Sequence, residues 1–343
     1  MLVERIEPHW LAAFATVLQL CKPAPSEVVC ILAETQSRAI NIDLAELAAL
    51  QAGLRTFRCV LPSPPVTTAV PLRSTGASRA LAGHPAALAA IKASTLVLDL
   101  TVEGLMHAPE TPEILKSGAR IMVVSNEHPE ALARLVPLPG DDIPVKAAVK
   151  RARAAQTMHV TSAAGTDLHV KMAGATTAGV WGWTDRPGTL AHWPGGVVVS
   201  FPAAHSVHGR LVLDAGDINL TFKRYLTAPV VLTLEDDHIT AIEGAGADAA
   251  MMRRYLWAFD RNACAVSHVG WGLNPRARYE ALSLYGQRDM QGTELRCVAG
   301  NFLFSTGANE FAGRFTEGHF DIPVFNTTIA LDGEVVVREG VVL

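Results

Sequence analysis

From the start of the chain to about Gln156, short apolar runs of strand-forming residues alternate with stretches of helical periodicity, and no other feature restricts the fold as strongly. The runs are VVCIL, FRCVL, TLVLDL and RIMVV, and the helical stretches are DLAELAALQAGL, PAALAAIKA, PEILKSG and PEALARLV. Strand, helix, strand in succession is the pattern of a parallel sheet, because parallel neighbours need a crossover and a helix usually supplies it. VVCIL, TLVLDL and RIMVV are continuously apolar rather than alternating, as strands covered on both faces should be. Residues 1–156 are therefore expected to form a Rossmann-like α/β domain, although no glycine-rich phosphate loop follows its first strand.

Beyond the segment PVKAAVKRARAAQ the texture changes. Short strand-like runs follow one another with Gly, Pro, Asp and Asn between them: MHVTSAAGTDLHVKM, GGVVVSF, GRLVLDAGDINL, APVVLTLEDDHITAIEG and IALDGEVVVREGVVL. AAGTD, EDDH and LDGE are hairpin signals, so residues 157–343 should form a largely antiparallel, β-rich α+β domain. One helix interrupts it, ADAAMMRRYLWAFD, with Ala249, Met252, Tyr255, Leu256 and Phe259 along one face. Two domains also suit the length of 343 residues, and 49% hydrophobic residues suffice for two packed cores.

Charge excludes several partners. A net charge of -4 gives no general attraction to nucleic acid or anionic lipid. The densest basic stretch, Lys146, Lys150, Arg151 and Arg153, has near-helical spacing and reads as a solvated helix face. The five cysteines, Cys21, Cys30, Cys59, Cys264 and Cys297, are odd in number and contain no CxxC pair, so neither a disulfide framework nor a thiolate zinc site is indicated. A cytoplasmic location is expected. WLAAFATVLQLC, near the start, follows acidic rather than basic residues and is too short to span a membrane, so it reads as a buried helix.

Among motifs that carry chemistry, Gly244, Gly246 and Ala249 have a GxGxxA spacing between a strand and a helix. A dinucleotide site needs a βαβ unit around that motif, whereas the strand before it looks like the second arm of a hairpin; it reads as a tight turn, and no nicotinamide cofactor is assigned. No GxSxG elbow is present, which argues against a serine nucleophile. The 12 histidines remain. In EGHFDIP, His319 and Asp321 stand two apart in an expected strand and so project from one face, where an imidazole and a carboxylate can share a metal. A second histidine would complete the two-histidine, one-carboxylate triad of non-haem iron(II), which leaves positions open for substrate and dioxygen. His268, between an apolar run and the Gly-Trp-Gly of SHVGWG, is a candidate; the competing reading is a buried, hydrogen-bonded histidine. His107 in MHAPE and His192 in AHWPGG sit beside prolines in expected loops.

Taken together, SHVGWGLNPRA, GNFLFSTGAN, GHFDIP, AHWPGG, LVLDAGDI and MHAPETPEILKSG resemble the 2,5-dihydroxypyridine 5,6-dioxygenases of bacterial nicotinate degradation, a family related to the M29 metalloaminopeptidases. The resemblance runs through most of the chain, in order. It implies an iron(II) centre on His268, His319 and Asp321, with His107 as the base that deprotonates the ring hydroxyl. It places His192, His169, Ser305 and Thr306 along the substrate pocket. The partners it implies are a small aromatic N-heterocycle and dioxygen, with N-formylmaleamate as product, no organic cofactor, and a homo-oligomeric enzyme. One position departs from the pattern: Val180, in the run Val180, Trp181, Gly182, Trp183, stands where the family has a glutamate. That exchange bears on the substrate more than on the metal. Two other readings are open on the sequence: a metallohydrolase like the M29 enzymes, either aminopeptidase or aromatic amidohydrolase or deaminase, in which the metal activates water, and a non-catalytic binding protein on a retained scaffold.

Overall fold

The continuously apolar runs of the first half do pair in parallel, in the order Arg55–Leu61, Val28–Glu34, Leu96–Asp99, Arg120–Val123, Leu190–His192. The computed structural model describes residues 5–67, 77–287 and 289–343. Helices cover both faces of this sheet. Pro8–Leu20, Ala39–Gln51 and Pro129–Arg134 pack on one with Trp193, and Pro85–Lys92 and Thr111–Lys116 pack on the other through Ile91 and Ile114. FRCVL is the exception to continuous burial: it is an edge strand with Arg55 and Val60 exposed, and charge at an edge discourages pairing with another chain. The strand order reverses direction between Val28–Glu34 and Leu96–Asp99, so a crevice for ligands opens at the carboxyl ends of those strands. The last strand comes from beyond Gln156 and brings His192 to that same end, opposite Val123.

All three hairpin signals of the second half form antiparallel pairs. They belong to one eight-stranded sheet; a five-stranded sheet, ordered Arg314–Val324, Phe302–Asn309, Val266–Gly272, Val197–Phe201, Thr176–Val180, lies against it. Met158, Val160, Leu168 and Leu232 from the larger sheet meet Val266, Val269, Phe304 and Phe320 from the smaller, with Met252 and Tyr255 of helix Gly246–Leu256 closing one side. Gly244 and Gly246 form the turn between the hairpin and this helix, and the hairpin is antiparallel, so the glycine spacing serves a turn. The basic segment is helix Asp142–Ala154; it buries Val145, Ala148 and Ala152 and leaves Lys146, Lys150 and Arg153 exposed. No helix among the described residues is long and apolar enough to cross a membrane.

One buried ion pair ties the hairpin turn to the strands that carry the candidate ligands. Asp237, in the EDDH turn with a φ of 69°, accepts hydrogen bonds from the backbone N–H groups of His205, Ser206 and Val207. Arg314, at the start of the His319 strand, donates to Asp237 at 2.8 Å and to the carbonyl of Val266, at the start of the His268 strand, at 2.7 Å. Burial raises the Asp237 carboxyl, but these donors outweigh it and hold it below the usual carboxylate range. Arg314→Ala leaves a buried carboxylate without its cation, and we expect about 3–5 kcal/mol of lost stability, read as a lower urea midpoint. Because a depressed carboxyl contributes stability only while ionised, the Asp237 contribution should also fade in the wild type as pH falls below the ordinary carboxyl range, near 3.8.

Candidate metal centre

Strand alternation puts His319 and Asp321 on one face of Arg314–Val324, and cross-strand pairing puts Ser305 directly opposite Asp321 and Gly307 opposite His319. Gly307 is required there: its φ is +117°, and a Cβ would stand 2.1 Å from the Gly318 carbonyl oxygen. His268 reaches the same face through a β-bulge. Val266 pairs with Thr306 and Val269 with Phe304, so two residues, Ser267 and His268, oppose Ser305 alone. The Ser267 hydroxyl donates to the Ala308 carbonyl and fixes the extra residue in place. The bulge keeps Val266 and Val269 in the core while His268 turns to the opposite side.

The result is a buried cluster. Asp321 Oδ1 lies 3.5 Å from His268 Nε2, 3.4 Å from His319 Nε2 and 2.6 Å from the Ser305 hydroxyl that donates to it. The other carboxylate oxygen, Oδ2, pairs with Arg296 Nε, from the short helix Thr293–Cys297. Burial raises the Asp321 carboxyl, but Arg296 and the two histidines overcome it and hold it well below its ordinary value. Burial, only partly offset by Asp321, pushes His268 down to about 3. A neutral imidazole beside an ionised carboxylate is the protonation state that metal binding demands.

His107 comes from the loop after strand Leu96–Asp99, where the buried Asp99 accepts from the Thr101 and Leu105 backbone N–H groups at 3.0 and 2.6 Å and folds the loop back over the sheet end. Its ring centroid is 4.1 Å from that of His319, and the ligating nitrogens of His107, His268 and His319 all lie within 4.8 Å of one another. Burial and then the two neighbouring histidines drive the His107 pKa well below its usual value. His192 borders the same cavity as His319 and Asp321; its Nδ1–H donates to the Pro194 carbonyl, and burial lowers it to about 4. The neutral ring therefore turns an unprotonated Nε2 to its other side, and that atom can accept a hydrogen bond.

The donors fit a metal ion of the iron or zinc class. Bonds of about 2.0–2.2 Å let one ion touch atoms 3.4–3.5 Å apart, and Asp321 offers it a single oxygen because Arg296 takes the other. Neither His268 Nδ1 nor His319 Nδ1 has a hydrogen-bond partner among the described residues, so the rings are oriented by packing and by what lies on their Nε2 side.

Three expected site residues lie elsewhere. Thr306 follows Ser305 directly and so faces the other way, toward the core, with Val266 and Phe320 as its cross-strand partners. Val180 packs at the rim of apolar clusters with Val197, Cys297 and Leu303 and does not line the cavity. His169 stands exposed on Asp167–Lys171 of the larger sheet, stacked between His159 and His208. Arg296, Glu103, Ser125 and Gln291, none of which stands in a recognisable motif, line the cavity as well. TELRC carries no motif that marks Arg296, whose importance comes from being buried next to Asp321.

A parallel sheet covered by helices is joined to a β-sandwich, and at the seam lies a buried cluster of two histidines and one carboxylate with the donor set of a candidate metal site. The sequence matches the model of the family NicX: 2,5-dihydroxypyridine 5,6-dioxygenase over residues 9–343, and the chain belongs to that family. It is 37% identical over 332 residues to the 2,5-dihydroxypyridine 5,6-dioxygenase of Pseudomonas putida KT2440, covering 95% of this chain and 94% of that one. The solved structure of 2,5-dihydroxypyridine dioxygenase from the same organism superposes with a TM-score of 0.91 at 36% identity, covering 97% and 96% of the two chains. AmpT from Thermus thermophilus has a TM-score of 0.64 at 14% identity, covering 98% and 99%, which is a likeness of fold.

The Thr306 hydroxyl is buried with no hydrogen-bond partner among the described residues. An unpaired buried hydroxyl costs about 1–3 kcal/mol, so Thr306→Val should leave stability equal or higher and leave turnover unchanged. A large loss of turnover with native stability would return Thr306 to the site.

Proposed function

We propose that this chain is an iron(II)-dependent dioxygenase that opens the ring of 2,5-dihydroxypyridine, or a close hydroxypyridine, between carbons 5 and 6 to an N-formylmaleamate-type product. The observation that carries the reading is that Asp321 Oδ1 lies within 3.5 Å of both His268 and His319, with the ring of His107 against that of His319, in a chain of this family. His268, His319 and Asp321 would hold the metal. Iron(II), when bound, supplies neighbouring positions for substrate and dioxygen and a route for electron density from an anionic ring to oxygen.

The protein's own part is to place the ring and move a proton. His107, kept neutral by burial, accepts the proton of the ring hydroxyl, since its ring lies against that of His319. The Nε2 of His192 accepts the ring N–H, a role open to it because its Nδ1 is committed to Pro194. Ser305 holds Asp321 in register. The same proposal takes the enzyme as a cytoplasmic homo-oligomer of aromatic catabolism; the five cysteines, all unpaired, accord with a reducing compartment, and sedimentation measures the assembly.

Anaerobic loading with iron(II) followed by oxygen uptake on a panel of dihydroxypyridines tests the reaction, which consumes one dioxygen per ring opened. Ring loss without oxygen uptake would favour the hydrolytic reading. His268→Ala, His319→Ala and Asp321→Ala should each lose bound iron and turnover, measured by metal analysis of the purified variants; one that retains both is not a ligand. His107→Ala should keep iron and lose a factor of about 100 to 10,000 in turnover, with a smaller deficit at high pH where the hydroxyl is already ionised. His192→Ala leaves the ring N–H unpaired, at about 1–3 kcal/mol, and should raise KM by about 5- to 150-fold while iron content stays normal.

A further inference from the structure

On the outer face of the eight-stranded sheet, three histidines stand in one row. His159 is the cross-strand partner of His169, and His169 that of His208, so the register puts their side chains side by side. The rings are nearly parallel: centroids 4.3 Å apart at 11° for His159 and His169, and 5.4 Å at 14° for His169 and His208. Asp167, two residues before His169 on the same strand face, reaches into the row. Its Oδ1 lies 2.7 Å from His159 Nε2 and 3.2 Å from His169 Nε2. The ligating atoms of His159, Asp167 and His169 all lie within 4.8 Å of one another.

We propose that His159, His169 and Asp167 form a second metal site, for a zinc-class divalent ion, with His208 next in the row as a further donor. The site is separate from the buried centre: it lies on the opposite side of the larger sheet from the core, which Met158, Val160, Leu168 and Val170 of the same two strands enter.

The chemistry of the donors selects the ion. Two imidazole nitrogens and one carboxylate oxygen suit zinc, nickel or copper, whereas calcium and magnesium prefer oxygen alone. A bland alternative is an ordinary ion pair between histidine and aspartate. That accounts for one histidine, but two imidazoles aimed at one oxygen, with rings stacked 4.3 Å apart, would repel each other if both were protonated. With neutral rings the Asp167 carboxylate can accept from both Nε2–H groups, and the metal count separates that hydrogen-bonded arrangement from a bound ion. An ion between the three atoms accepts a lone pair from each and cross-links two adjacent strands. The face is open to solvent, so the ion has an entry path and water can complete its coordination.

The test counts metal. Anaerobically iron-loaded enzyme is equilibrated with zinc chloride, freed of unbound ions by gel filtration, and analysed for iron plus zinc per chain by mass spectrometry. Wild type should carry one ion more than His159→Gln/His169→Gln, whatever exchange takes place at the buried centre. The substituted side chains are solvent-exposed, and a circular dichroism spectrum matching wild type confirms that the variant is folded. Equal metal totals in the two proteins would overturn the proposal, as would a wild type that takes up no more than one ion in all.

Discussion

The buried carboxylate of Asp321 is the constraint to which its surroundings answer. An ionised carboxylate out of water costs several kcal/mol unless its oxygens are matched, and each oxygen here is matched differently. Oδ2 faces Arg296, while Oδ1 takes the Ser305 hydroxyl and faces two imidazoles. Arg296 must then be held as firmly as the carboxylate. Its helix is fixed by Glu127, which accepts the Thr293 N–H at 2.7 Å, and by Glu294, which pairs with both terminal nitrogens of Arg134 at 2.7 Å. Glu127 and Arg134 belong to the parallel-sheet half. A chain of charges therefore stitches the two halves together across the seam where the cluster lies, and the histidine geometry depends on both halves being docked.

How much of this was legible in the sequence follows from which rule governs each residue. The parallel sheet and the hairpins were, because hydrophobic continuity and turn chemistry are local. The shared face of His319 and Asp321 was too, since the two-residue period of a strand needs no tertiary information. That same period rules out Ser305 and Thr306 as joint pocket residues: neighbours on a strand face opposite ways, and the pairing of Ser305 with Asp321 decides which one turns inward. His268 marks a limit. Regular alternation would have put it on the face of Val266, and only a bulge, visible in the pairing, sends it to the face of His319 and Asp321.

His169 and Val180 show another limit. Proximity along a motif says nothing about which layer a strand joins, and both residues sit on strands whose sheet membership is set by partners far away in sequence. Arg296 is the reverse case, illegible because a single arginine in an ordinary helix gains meaning only when folding buries it against a carboxylate.

The fold by itself leaves the chemistry open, since AmpT shares it at 14% identity, and one fold can host different reactions. What narrows the choice is again the environment of Asp321. A hydrolytic centre with two metals gathers several carboxylates to offset four positive charges. Here the second oxygen of Asp321 is occupied by the Arg296 guanidinium, so a second dication bridging to that oxygen would meet a cation already in place. Coulomb repulsion from Arg296 opposes a second dication placed beside it. Neutral nitrogen donors beside a single free carboxylate oxygen fit the donor set of the mononuclear oxygen-using enzymes better than that of the paired-metal hydrolases.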